Sequence, residues 1–244
     1  MTVEDPRPTL DLLWNGIPAP RRGPRHRLTI ERIVGAATAI AEEDGVAGLS
    51  MRRVAARLGV SATSLYTYVP DKSALLALML DTMLAGAPLP HTLPGSWRDR
   101  VAAWARSDLR DYRAHPWLVD LLSTERPMGP GALTWFDSAL RVFAGTGLRD
   151  REILAVIEAV ESFVRGHAVR AVDADRIASR TTPEGTTWSQ AQDDYLAMRP
   201  EIGALPAVAG LTEAGPGVEE VFEQGLAWLL DGIEGRIRAA ERRG

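Results

Sequence analysis

Between residues 49 and 76 the chain reads LSMRRVAARLGVSATSLYTYVPDKSALL, a run of helix starts and stops with no strand alternation between them. Ser50 stands where a helix N-cap is needed, and Met51, Val54, Ala55 and Leu58 then fall on one helical face. Gly59 ends that helix, because glycine takes the left-handed backbone of a helix stop at no steric cost. Ser61 caps a third, very short helix through about Tyr68, with Ala62, Leu65 and Val69 facing inward. Pro70 breaks it, and Asp71 caps a fourth helix running through LLALMLDTML. Upstream, Thr29 opens a helix whose Ile30, Ile33, Val34, Ala37, Ile40 and Ala41 share a face, with Gly45 able to stop it.

Two short helices meeting at a glycine turn are the helix-turn-helix plan, in which the second helix lies in the DNA major groove. Thr63, Ser64 and Thr67 on its outer face suit base edges, and threonine methyls suit thymine methyls. Tyr66 and Tyr68 reach toward phosphates, and Arg52 and Ser61 complete the set. The fourth helix offers free backbone N–H groups at its start, where Lys72 adds a point charge. Net charge is −4, yet residues 21–72 hold nine Arg and Lys against five Asp and Glu, so the basic excess sits here. The chain has 27 arginines and one lysine, and that lysine is Lys72.

The segments LTIERIV, LSMRRVAARLGV, LYTYV and the Asp-Lys pair that opens the next helix resemble the tetracycline-repressor (TetR) family over Leu28 to about Leu84. The resemblance implies phosphate contacts by Lys72 and Tyr66 and a double-stranded DNA operator. It continues more faintly in LSTERP, EILAVIEAVESFVRGHAV and VFEQGLAWLLDGIE, which are similar to the C-terminal ligand-binding and dimerisation domain of tetracycline-responsive members. Those members hold a magnesium–drug chelate with a His and a Glu. The matching positions here are Leu122 and Arg170, so no metal and no cofactor is expected.

The expected fold is all-α. Residues 1–27, with RRGPRHR, form a flexible basic arm that is either a solvated tail or a DNA-contacting strap. Residues 28–87 form the DNA-binding domain, and residues 88–244 the effector-binding and dimerisation domain, with helices over 96–114, 116–124, 130–144, 149–174, 187–198 and 217–242. Composition is that of a chain able to bury a real core. Cysteine is absent, which excludes disulfides and thiolate metal sites. No apolar run is expected to reach the roughly 18–20 residues of a membrane span. MTVEDPRPTLDLL has acids and prolines where a signal peptide needs a basic patch and an apolar core, so the expected location is cytoplasmic.

Aromatic residues concentrate in the middle of the chain, and either line a pocket or simply pack a core. The candidate effector residues are Trp104, Asp108, Trp117, Leu122, Arg126, Trp135, Phe163, His167 and Arg170, for a small hydrophobic or aromatic ligand. His167 on an apolar helix face reads first as a satisfied core residue and second as a ligand group. Ile157, Val160 and Val164 on one long helix and Phe222, Leu226, Leu229 and Ile233 on the last form apolar stripes. They either close the subunit's own core or, as the resemblance implies, build a homodimer interface. No HExxH pair, glycine-rich phosphate loop or cysteine nucleophile points to an enzyme. The expectation is a DNA-binding repressor released from a palindromic operator by its ligand. The alternative is a helical small-molecule binder with a vestigial DNA module.

Overall fold

The computed structural model describes residues 5–16, 28–121, 127–178, 180, 185–209 and 217–242. Among these, every regular element is helical. The order is α1 (Arg7–Asn15), α2 (Ile30–Gly48), α3 (Met51–Leu58), α4 (Ala62–Tyr66), α5 (Lys72–Gly86), α6 (Trp97–Ala114), α7 (Pro130–Val142), α8 (Asp150–Ala178), α9 (Trp188–Ala197), α10 (Pro206–Ala209) and α11 (Val218–Glu241). Short 3-10 turns cover Pro90–Thr92, Pro116–Leu121 and Pro200–Ala204.

The caps read from sequence are formed. Thr29, Ser50, Ser61 and Asp71 each accept a backbone N–H with a side-chain oxygen, at 3.3, 3.3, 3.1 and 2.7 Å. Gly45 kinks α2 rather than ending it. Its φ is +68°, and one further turn follows to Gly48. Gly59 closes α3 in the left-handed conformation, φ +69°.

The first core joins Ile33, Val34, Ala37 and Ile40 of α2 to Val54 of α3, Leu65 of α4 and Leu75 and Met79 of α5. Two groups from outside the expected domain enter it. Leu12 and Leu13 of α1 are buried there, so residues 7–15 are a packed helix and not flexible arm. The sequence reason is the apolar pattern of TLDLLW behind two prolines, with Gly16 as stop. Residues 17–27, with RRGPRHR, lie outside the described residues. Trp117, Leu118 and Leu121 also pack into this core, beyond the expected boundary at 87.

The second core holds Val101 and Trp104 of α6, Trp135 and Ala139 of α7, Ile157 and Val160 of α8, and Phe222 and Leu226 of α11. Residues 72–92 are long and apolar enough to cross a membrane by composition, which the sequence reading had not anticipated. Within the fold that apolarity is structural. α5 packs against α1, α2 and α7 at once, and so it needs apolar residues all round. Gly131 permits the α5–α7 approach, because a Cβ there would meet the Asp81 backbone oxygen at 2.3 Å. The Asp81 carboxylate then caps α7, accepting from the Ala132 and Gly131 N–H groups at 2.9 and 3.2 Å.

Candidate functional site

The outer face of the α3–α4 unit is polar and exposed. Arg52, Ser61, Thr63, Ser64, Tyr66 and Thr67 all stand in solvent, and Tyr68 is half-buried. Leu65 and Val69, both 0% exposed, anchor α4 from below. Several hydroxyls are already engaged. Ser61 and Ser64 share a hydrogen bond of 2.8 Å, and Thr67 donates to the Ser64 carbonyl at 2.7 Å. The Thr63 and Tyr66 hydroxyls make no such bond among the described residues. Neighbouring arginines are engaged in exposed ion pairs with α2: Arg53 pairs with Asp44, and Arg57 pairs with Glu43. Arg52 has no acidic partner among the described residues. Lys72, at the start of α5, donates from Nζ to the Val46 carbonyl at 2.8 Å, at the C-terminal end of α2 where the helix dipole favours a cation. An ammonium has three donors, so two remain.

Between the helix-turn-helix and the C-terminal helices a cavity of about 540 Å³ opens among α5, α6, α7 and α8. Leu80, Leu84, Tyr112, Trp135, Phe136 and Ile157 are among its walls. Of the residues expected at an effector site, Asp108 and Trp135 line it. Trp104 lies behind them, 2% exposed, donating Nε1–H to Asp108 Oδ2 at 2.6 Å and meeting Trp135 edge-on at 5.0 Å. Burial pushes the Asp108 carboxyl up to about 7; the Trp104 hydrogen bond opposes the rise, and the charges of Asp111 and Glu161 add to it.

The other expected residues stand elsewhere. Trp117 belongs to the first core, where its Nε1–H bonds Glu42 Oε1 at 2.6 Å. The Phe163 and His167 rings meet tilted, centroids 4.3 Å apart, and face Phe222 of α11. Arg170 is exposed on α8. Leu122 and Arg126 lie outside the described residues. The sequence reading missed Asp81, Asp111, Tyr112, Glu158, Glu161 and Arg165, all of which line the cavity. A signal existed in Asp108 and Asp111, three apart on one helix and flanking an apolar stripe.

The expected dimer stripes are also placed differently. Ile157, Val160, Val164, Phe222, Leu226 and Ile233 are at most 5% exposed in the single chain, and Leu229 packs on the same core. They hold α8 and α11 against α6, so they offer little to a partner. The exposed face of α11 carries Trp228, 68% exposed, with Gly232 and Gly235. The exposed face of α8 carries Ala155, Ala159 and Gly166.

A packed helix-turn-helix with a polar outer face, joined to a helical domain enclosing a cavity, defines a DNA-binding regulator. Residues 33–79 match the family described as Bacterial regulatory proteins, tetR family, and residues 89–237 match Tetracyclin repressor-like, C-terminal domain. The chain belongs to the TetR family of helix-turn-helix transcriptional repressors, which is not a family of enzymes. It is 38% identical over 239 residues to the HTH-type transcriptional repressor DrrR1 of Streptomyces coeruleorubidus, covering 97% of this chain and 87% of that one. It is 30% identical to the class A tetracycline repressor protein from transposon 1721 of Escherichia coli, covering 86% and 92%. Its fold is similar to that of the Streptomyces coelicolor TetR family protein ActR in complex with actinorhodin. There the TM-score is 0.74 at 27% identity, with 86% and 99% covered.

Proposed function

We propose that this repressor binds a palindromic operator as a homodimer and is released from it by a small molecule that enters the α5–α8 cavity. One observation carries the reading: α6 serves both sites. Its Asp108, Asp111 and Tyr112 line the cavity, and within one turn of its end His115 and Trp117 both bond Glu42 of α2. A ligand that moves α6 therefore pulls on the DNA-binding domain. Coupling of about 1–3 kcal/mol suffices for changes of 5- to 150-fold in operator affinity. The complex of ActR with actinorhodin supports a small-molecule occupant for a cavity in this fold.

In the operator complex α4 lies in the major groove. Thr63 and Ser64 face base edges, while Arg52, Tyr66 and Lys72 meet phosphates, Lys72 with the donors that Val46 does not use. Two copies joined through the exposed faces of α8 and α11 would present two such helices to successive half-sites. Trp228 supports this, because so large an exposed ring beside two glycines suits burial in a second copy. The repressor works where its DNA is, which in a bacterial cell is the cytoplasm.

Selection of bound sequences from a random duplex pool tests the DNA half of the reading. The expected result is one palindromic consensus, enriched by the wild type and altered by Thr63→Ala. Recovery of no consensus would remove sequence-specific operator binding.

A further inference from the structure

The described residues lining the cavity carry five carboxylates, Asp81, Asp108, Asp111, Glu158 and Glu161, against one guanidinium, Arg165. Arg165 is occupied within the wall, 3.0 Å from Glu158 and 3.3 Å from Glu161. Asp81 is occupied as the cap of α7. Asp108 and Asp111 are left, one turn apart on α6, with no cationic partner among the described residues. One Asp108 oxygen accepts the Trp104 indole N–H, and the other takes no hydrogen bond from a described residue. The rest of the wall is apolar or aromatic, with Leu84, Tyr112, Trp135, Phe136, Ile157 and Val164.

These features select an occupant by charge as well as by shape. A flat apolar body gains by burial against the rings. A positive nitrogen gains from two unpaired carboxylates in a wall of low polarity, where charges act over longer range than in water. An anion of the same shape meets like charge in the same setting and is rejected. We propose that the cavity is selective for cationic amphiphiles. The occupant is an aromatic or hydrocarbon body bearing a protonated or quaternary nitrogen, the nitrogen held by Asp108 and Asp111 and the body against Trp135 and Phe136. This deepens, and rests on, the reading of the cavity as the effector site.

A proton linkage follows from the geometry. Among the described residues, the charged and titratable groups that line the cavity with Asp108 are Asp111 and Tyr112 on its own helix, Glu158, Glu161 and Arg165 on α8, and Asp81 on α5. Burial holds Asp108 partly protonated near neutral pH. A bound cation favours the carboxylate, so binding expels a proton and affinity rises from pH 6 to pH 8.

Isothermal titration of the full chain with three naphthalene probes tests this. The probes are (2-naphthylmethyl)trimethylammonium, 2-naphthalenemethanol and naphthalene-2-sulfonate, which share a ring and differ in charge. The expected order is cation, alcohol, sulfonate, with at least tenfold between the first and last. Affinity for the cation should rise severalfold between pH 6 and 8 in the wild type, and this rise should vanish in Asp108→Asn. Asp111→Asn should weaken the cation alone. Equal affinities, or a sulfonate that binds as tightly as the cation, would overturn the proposal without any variant being needed. The two readings fail separately. If the alcohol or the sulfonate outbinds the cation and releases operator DNA, charge selection is wrong while the effector site stands. If the cation binds in the expected order but leaves operator affinity unchanged at saturation, the effector reading is wrong while charge selection stands.

Discussion

Trp117 donates its indole N–H to Glu42 across 2.6 Å, tying the link after α6 to the middle of the DNA-binding domain. His115 Nδ1 lies 2.6 Å from the same carboxylate oxygen. Trp117 is 2% exposed, and Glu42 is the acceptor its N–H uses. An orphaned buried donor costs about 1–3 kcal/mol. Glu42→Ala should therefore lower the melting temperature by roughly 2–12 °C, taking about 2–4 °C per kcal/mol for a chain of this size. It should also weaken the effect of a cavity ligand on DNA affinity. Glu42→Gln keeps an acceptor for Trp117 and should fall between the two. Calorimetry and ligand-dependent operator binding check both outcomes.

DNA contacts divide by kind. Lys72→Ala should weaken binding to every sequence alike and flatten the plot of log affinity against log salt by about one unit per half-site. Since Lys72 also caps α2 through Val46, a small loss of stability should accompany it. Thr63→Ala removes a hydroxyl that has no hydrogen-bond partner among the described residues, so stability should hold while base preference changes. Thr67→Val removes the bond to Ser64 and should cost stability as well. Anisotropy titrations at several salt concentrations, beside thermal melts, separate these effects.

The two faces of α11 give opposite expectations for a charge. Trp228→Glu, on the exposed face, should shift the protein from dimer toward monomer with little loss of subunit stability. Leu229→Glu places the charge against the subunit's own core and should destabilise the fold itself. Sedimentation velocity with a parallel melt distinguishes them. A wild type that sediments as a 26.5 kDa monomer at micromolar concentration would end the dimer proposal.

The helix-turn-helix was legible because its information is local. Caps at Ser50, Ser61 and Asp71 and the stop at Gly59 act within one turn of themselves. The cavity was only half legible. Asp108 and Trp135 were read, but the opposing wall comes from α8, and nothing in the periodicity of α8 tells which flank of its stripe meets a void. The apolar stripes left two readings open for a related reason. Periodicity marks the face a helix buries without saying against what, and α8 and α11 spend that face on α6. Trp117 counts among the pocket aromatics because aromatics cluster in the middle of the chain, and that clustering says nothing of its contact with Glu42, 75 residues away. α1 was hidden by the Pro, Arg and Gly content around it.

Two carboxylates should give opposite pH signatures. The Asp108 pKa is raised to about 7 in the folded chain, so the native state holds a proton that the unfolded chain releases near 3.8. Its contribution to stability is therefore full below about pH 4 and is lost as pH rises through 7. Asp108→Asn should melt higher than wild type at pH 8 and nearly level with it at pH 4. Glu152 is held down to about 2 by hydrogen bonds from the Arg149 side chain and backbone, opposed by desolvation and aided by Arg236 of α11. Its stabilisation is present above the ordinary value of 4.5 and is lost as pH falls through 2. Glu152→Gln should melt below wild type at pH 7, with the gap closing toward pH 2. Melting curves across pH 2–8 read both.

Linkage between the cavity and the α4 face is measured most directly by reciprocity. A cavity ligand is titrated into the repressor with and without saturating operator, and operator is titrated with and without saturating ligand. Coupled sites must change each other's affinity by the same factor. The result predicted here is mutual weakening of at least fivefold by one common factor, which shrinks in Glu42→Ala. Tight binding in the cavity, blocked by Val164→Trp, together with unchanged operator affinity would contradict it.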